Sequence, residues 1–144
     1  METYKRLHGR HKEKISTEMY LKAIFLLKDK NKTDPRAVDI VKELELSKGS
    51  VSEMLNKICE EGLIHYQPHG RISLSDKGVE QAKNVIRKFE VIKKFLSEIL
   101  KIDPGNVDEE ACNLEHGFSD EAIAKLNILI KLMERNPEGK ATPR

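Results

Sequence analysis

The stretch SKGSVSEMLNKICEEG, residues 47–62, carries two patterns at once. Val51, Met54, Leu55, Ile58, Cys59 and then Leu63 return with the period of an α-helix and predict a buried stripe; Lys48, Ser50, Ser52, Glu53 and Asn56 leave the other side polar. Ser47 is suited to cap the first turn and Gly62 to end the last. Just upstream, after a turn cluster at residues 31–35, Ala37, Val38, Val41 and Leu44 fall at helical spacing within residues 36–44. Two short helices joined by a tight turn, the second with a polar N-terminal face, predict a helix-turn-helix.

The flanks extend this unit. Residues 63–67 and 71–74, separated by Pro68-His69-Gly70, read as a small β-hairpin with His69 and Arg71 near its tip, the expected wing. Upstream, Ser16 is placed to cap a first helix running to about Lys30, with Ile15 able to pack on Tyr20. Residues 1–15 are charged, contain Gly9 and show no apolar period, so a basic flexible arm is expected; His8 and His11 there point to phosphate contact more than to chelation. The DNA-binding domain is thus expected over residues 16–75, with Ser47, Lys48, Ser50, Ser52, Glu53, His69 and Arg71 as its DNA-facing groups.

A second, all-α domain is expected over residues 76–136. Ser75 caps a long helix to about Leu100, whose apolar residues Val91, Ile92, Phe95, Leu96, Ile99 and Leu100 make a wide stripe. Pro104-Gly105 interrupts the chain, Asp108 can cap a short helix ended by Gly117, and Ser119 caps a last helix to about Arg135. The last helix carries Ala122, Ile123, Leu126, Leu129, Ile130 and Met133 on one side. These three helices hold more apolar surface than they can cover alone, which predicts a symmetric homodimer whose two reading heads suit a palindromic operator. Residues 137–144, with Pro and Gly, are expected to be a flexible tail.

Composition agrees with a mainly α protein: 35% of the 144 residues are charged, 5% are aromatic and there is no Trp. Residues 1–100 hold 20 Lys and Arg against 15 Asp and Glu, whereas residues 101–119 hold one Lys against five acids. The basic part suits a polyanion such as DNA. No apolar leader opens the chain and the longest apolar run, residues 23–27, is far too short for a bilayer, so no membrane partner and a cytoplasmic location are expected. There Cys59 and Cys112 are expected to be thiols. With no Gly-rich phosphate loop and no G-x-S-x-G, neither an enzyme nor a small-molecule substrate is expected.

Within EEACNLEHGFSDE, residues 109–121, Cys112, Glu115 and His116 stand at i, i+3 and i+4. On a helix these share a face, so a thiolate, a carboxylate and an imidazole would converge, a donor set for Fe, Co, Ni or Zn with Mn also compatible. A fourth ligand must come from elsewhere. The same spacing would also arise on an acidic helix with a packed cysteine and no metal.

Taken together, STEMYL (residues 16–21), VSEMLNKICEEGLI (51–64), LSDKG (74–78) and DEEACNLEHGFSDE (108–121) resemble the metal-dependent repressors of the diphtheria-toxin-repressor type, the iron and manganese regulators, over about residues 16–136. The resemblance implies a primary metal site formed by Met19 with Cys112, Glu115 and His116, in the sulfur-containing version associated with Fe²⁺, the ion tying the first helix to the later segment. It also implies an ancillary site in many members, at positions that here hold Phe89, Lys93 and Asp108. Neither a phenyl ring nor an ammonium ligates, so the ancillary site is expected to be missing, and the chain to be the short, two-domain form. The expected function is metal-dependent repression, with Fe²⁺ foremost and Mn²⁺, Co²⁺, Ni²⁺ or Zn²⁺ compatible; the alternatives are a metal-independent DNA-binding dimer with a vestigial site, or a metal-binding protein with no DNA role.

Overall fold

A computed structural model describes the backbone of residues 2–136 and the side chains of residues 16–136. Its elements are α1 (Glu2–Asn31), α2 (Ala37–Leu44), α3 (Lys48–Glu60), β1 (Ile64–His65), β2 (Ser73–Leu74), α4 (Asp76–Lys94) continuing into a π-helical turn (Phe95–Ile99), α5 (Pro104–Leu114) and α6 (Asp120–Arg135). Two compact units divide the chain, Met1–Val85 and Ile86–Arg144. The division falls inside α4, ten residues beyond the expected boundary at residues 75/76. The tail expected at residues 137–144 lies outside the described residues, as do the side chains of the expected arm at residues 1–15.

The first unit is a winged helix-turn-helix. Leu21 and Ile24 of α1, Ile40 of α2, and Val51, Leu55 and Ile58 of α3 are sealed from solvent together with Ile64 and Ile72 of the wing. Each such side chain contributes about 1.5–3 kcal/mol relative to exposure. Ser47 caps α3 as expected, its Oγ accepting from the Ser50 amide at 3.1 Å. Glu45, in the left-handed region at φ 54°, ends α2 and turns the chain toward α3.

The wing is shorter than its sequence predicts. Only Ile64 opposite Leu74 and His65 opposite Ser73 pair, antiparallel. Beyond these pairs the chain turns elsewhere: Ile72 N–H donates to the Pro35 carbonyl at 2.7 Å, and Arg71 lies opposite Arg36 in an isolated antiparallel bridge. Thus the wing is stitched to the segment before α2. Ser75 caps α4 as expected, its Oγ accepting from Gly78 N–H at 3.1 Å while donating to the Gly62 carbonyl at 2.7 Å. Gly78 is required at that junction, since a Cβ there would collide with the Leu63 carbonyl oxygen.

Three helix limits differ from expectation. α1 runs straight through Ser16, so Ser16 is no cap; the Lys, Glu and Arg of residues 10–14 are good helix formers and Gly9 costs only about 1 kcal/mol. α4 ends at Lys94, and the π-helical turn beyond it closes with Leu100 N–H on the Phe95 carbonyl at 3.1 Å. α5 starts at Pro104, not beyond Asp108: Asp103 Oδ1 accepts from Gly105 N–H at 2.9 Å, and Pro104 takes the first helical position, where a missing N–H costs nothing. α6 begins as expected, Ser119 Oγ accepting from the Ala122 amide at 3.0 Å.

The second unit packs Ile92, Leu96, Val107, Ala111 and Ile123, with Phe89, Phe95, Phe118 and Leu126 around them. Ile128, Leu129 and Leu132 of α6 are left exposed. Among the described residues no helix is long and apolar enough to cross a membrane.

Candidate metal centre and nucleic-acid face

α5 buries Val107 and Ala111 against its unit, which turns Cys112 outward and sets the register of residues 113–116. The helix is assigned only to Leu114, yet Glu115 keeps helical angles (φ −56°, ψ −33°) and its N–H donates to the Ala111 carbonyl at 3.0 Å. The one-turn spacing of Cys112, Glu115 and His116 therefore survives the helix end. Gly117 N–H on the Leu114 carbonyl, at 3.0 Å, then closes the turn.

Glu115 is the hub. Its Oε1 lies 3.2 Å from His116 Nε2 and 3.9 Å from Cys112 Sγ. The carboxylate is 1% exposed and the imidazole is also buried, whereas Cys112 is exposed and reduced. A tetrahedral ion at ordinary bond lengths would set N and O donors about 3.4 Å apart and S and O donors about 3.6 Å apart. Both separations are within a small side-chain adjustment of those values. Even so, among the described residues no three His, Cys, Asp or Glu side chains are gathered closely enough to hold an ion by themselves. The donor chemistry fits a soft-to-borderline divalent metal, with the shell incomplete without another ligand.

Met19, the residue expected to supply that ligand, sits on α1 in the first unit; the trio belongs to the second. Met19 is 38% exposed between buried Glu18 and Tyr20, so it is not an ordinary core methionine. The positions of the ancillary set are filled by an internal ion pair: Lys93 Nζ lies 3.1 Å from Asp108 Oδ1 and 5.9 Å from the Phe89 ring centroid. An ammonium stands where a ligand would be needed.

On the first unit, Lys48, Ser52 and Glu53 are exposed along α3. Ser47 and Ser50 are engaged with one another, Oγ to Oγ at 2.9 Å, in capping. His69 holds the wing turn at φ 64°. Arg71 is partly committed, its Nη1 donating to the Asp34 carbonyl at 2.7 Å. A cleft between α2, α3 and the wing gathers Lys48, Ser52 and His69 with Arg36, Val38 and Tyr66. Arg36 is not among the groups that the sequence pattern marks as DNA-facing; a cation just ahead of a helix that abuts the wing is the signal that finds it.

Fold and donor set define a class: winged helix-turn-helix proteins carrying a separate helical unit with grouped donor side chains. Comparison with known proteins narrows it. Residues 14–72 match the family described as iron dependent repressor, N-terminal DNA binding domain, and residues 75–144 match iron dependent repressor, metal binding and dimerisation domain. An uncharacterized HTH-type transcriptional regulator of Methanocaldococcus jannaschii is 36% identical over 116 residues, 81% of this chain and 93% of that protein. The diphtheria toxin repressor of Corynebacterium glutamicum is 32% identical over 89% of this chain but 56% of its own length. Among solved structures, a manganese-dependent transcriptional repressor complex with manganese superposes with a TM-score of 0.74 at 25% identity, over 80% of this chain and 52% of that one. The chain spans about half the length of these last two. It belongs to the iron-dependent repressor family, whose members are DNA-binding transcriptional repressors and not enzymes.

Proposed function

We propose that this chain binds a palindromic operator as a homodimer when Met19, Cys112, Glu115 and His116 hold one divalent ion, Fe²⁺ in the cytoplasm. The observation that carries the reading is the sealed carboxylate of Glu115 with an imidazole nitrogen at 3.2 Å and a thiol sulfur at 3.9 Å. When bound, the ion supplies a Lewis-acid centre able to accept lone pairs from all four side chains. Cys112 contributes as a thiolate after losing its proton, His116 as neutral imidazole, and Glu115 as an anion already removed from water. Met19 adds a soft thioether from α1, so the two units are joined through one centre.

Two sulfur donors in the set favour Fe²⁺ over Mn²⁺, and Co²⁺, Ni²⁺ and Zn²⁺ fit the same donors. Lys93 and Phe89 oppose a second ion beside the first. Exposed Ile128, Leu129 and Leu132 of α6 supply an apolar face for the homodimer. Across a two-fold axis, two α3 helices would offer Lys48, Ser52 and Glu53 to base edges and phosphates. Ser47 and Ser50 set the helix end there, and His69 and Arg71 of the wing face the backbone.

Joining the units restricts how the reading heads are held, and a coupling of ~1–3 kcal/mol makes operator binding roughly 5–150-fold tighter. The test is anaerobic titration with Fe²⁺, Mn²⁺ and Zn²⁺ while operator binding is monitored. Operator affinity rising with metal is expected. Equal affinity with and without metal would favour a metal-independent DNA-binding dimer, and no salt-sensitive DNA binding at all a metal-binding protein alone.

A further inference from the structure

The buried stripe of α4 runs Ala82, Val85 and Ile92 and continues into Leu96 of the π-helical turn, and between Val85 and Ile92 it contains a lysine. Lys88 is 4% exposed. Removing an ammonium from water is costly, so lysines are almost never sealed unless they are paired. A leucine or methionine would fill the same stripe at no such cost.

The Lys88 ammonium reaches the connection between the metal-ligating segment and α6. Nζ donates to the Phe118 carbonyl at 2.8 Å and lies 3.1 Å from Asp120 Oδ1. Asp120 is the first residue of α6 and its side chain is 71% exposed, so solvent screens that pair; the carbonyl contact is the more sheltered one. On the other side, the Gly117 amide on the Leu114 carbonyl closes the end of α5. The backbone carrying Glu115 and His116 is therefore held from both directions: by the helix end before it, and by a buried ammonium two residues after His116.

We propose that Lys88 is a positioning residue for the metal centre: it fixes the segment of residues 117–120, and with it the direction from which His116 presents its ring. The proposal rests on the reading of Cys112, Glu115 and His116 as ligands. Groups that orient a ligand typically alter metal affinity 10–100-fold when removed. A purely structural Lys88 would instead change the unfolding temperature and leave the site as it is.

The experiment uses the full chain, metal-free and then titrated anaerobically with Co²⁺, whose absorption bands report the coordination of the ion. Lys88→Met, similar in length and uncharged, is expected to bind Co²⁺ about 10–100-fold more weakly than the parent and with shifted bands. Lys88→Gln, which keeps an amide donor, should fall between. Asp120→Asn should change affinity less than about fivefold, because the pair it removes is screened. Parent-like affinity and bands in Lys88→Met, whatever happens to its unfolding temperature, overturn the proposal. Failure of both Lys88 variants to fold also overturns it, since Lys88 would then be a requirement of the core. Cys112→Ala separates the two layers: if it binds Co²⁺ as the parent does, the ligand reading itself has failed; if it loses binding while Lys88→Met keeps it, only the role of Lys88 has.

Discussion

The Glu115 carboxylate, sealed from solvent, stands 3.2 Å from Nε2 of its neighbour His116. The pair stands where the helical turn persists one residue beyond α5, with Glu115 N–H on the Ala111 carbonyl and Gly117 N–H on the Leu114 carbonyl. That local geometry makes a carboxylate–imidazole pair which the exposed thiol of Cys112 can join. In the proposal above a further donor comes from outside α5, and Met19 is the residue proposed for it.

The two cysteines should behave differently. Cys112 neighbours the Glu115 carboxylate, whereas Cys59 packs on the core of the first unit with its Sγ 3.9 Å from the Tyr66 carbonyl. Cys112→Ala is expected to lower Fe²⁺ or Co²⁺ affinity by on the order of tenfold or more. Cys59→Ala should cost about 1 kcal/mol of stability and leave affinity alone. Parallel metal titrations and urea unfolding check both; comparable losses of affinity would mean that the ligand lies elsewhere.

Two glycines give opposite expectations. A side chain at Gly78 meets the Leu63 carbonyl, so Gly78→Ala should destabilise by about 1–3 kcal/mol. Gly49, in the first turn of α3, has nothing within 4 Å of an added Cβ, and Gly49→Ala should stabilise by about 0.4–1 kcal/mol. Urea midpoints of the metal-free protein measure each.

Lys48 and Arg71 differ in how far the fold already engages them. Lys48→Ala should weaken operator binding and reduce the salt slope by about 1, with unfolding unchanged. Arg71→Ala removes the bond to the Asp34 carbonyl and should cost about 0.5–1.5 kcal/mol of stability with no DNA present. Salt-dependent DNA binding and thermal unfolding of the two variants provide the comparison.

Burial raises the pKa of Tyr20 above its ordinary value of 10.0. The folded state then holds the proton more tightly than the unfolded one, so stability from this group is complete below pH 10.0 and falls as pH rises beyond it. Tyr20→Phe should flatten the alkaline part of the stability profile relative to the parent. Identical slopes in urea unfolding across that range would contradict this.

Periodicity made much of the fold legible. The α3 stripe of Val51, Leu55 and Ile58, the caps at Ser47, Ser75 and Ser119, and the grouping of Cys112 with Glu115 and His116 all depend on contacts within one or two turns, and those are written in local spacing. The features that escaped depend on distant partners. The Arg71 guanidinium and the Ile72 amide turn to the carbonyls of Asp34 and Pro35, and Lys88 reaches Phe118, thirty residues away. Ser16 misled because a cap residue inside a run of good helix formers caps nothing, and Asp108 because Asp103-Pro104 is the stronger start. The trio is legible in its spacing; a donor from another element is not. A thioether in one unit and three donors in the other share no local pattern, and only the family resemblance linked them.

The decisive measurement is operator affinity with and without Fe²⁺, under anaerobic conditions, for the parent and for Met19→Leu, an isosteric change at an exposed position. The parent should bind operator roughly 5–150-fold more tightly with metal. In Met19→Leu that ratio should fall to about 1, with metal-free DNA binding unchanged, because the trio would no longer be joined to α1. If Met19→Leu retains the full metal response, the thioether is no ligand and the coupling between metal and DNA must run by another route.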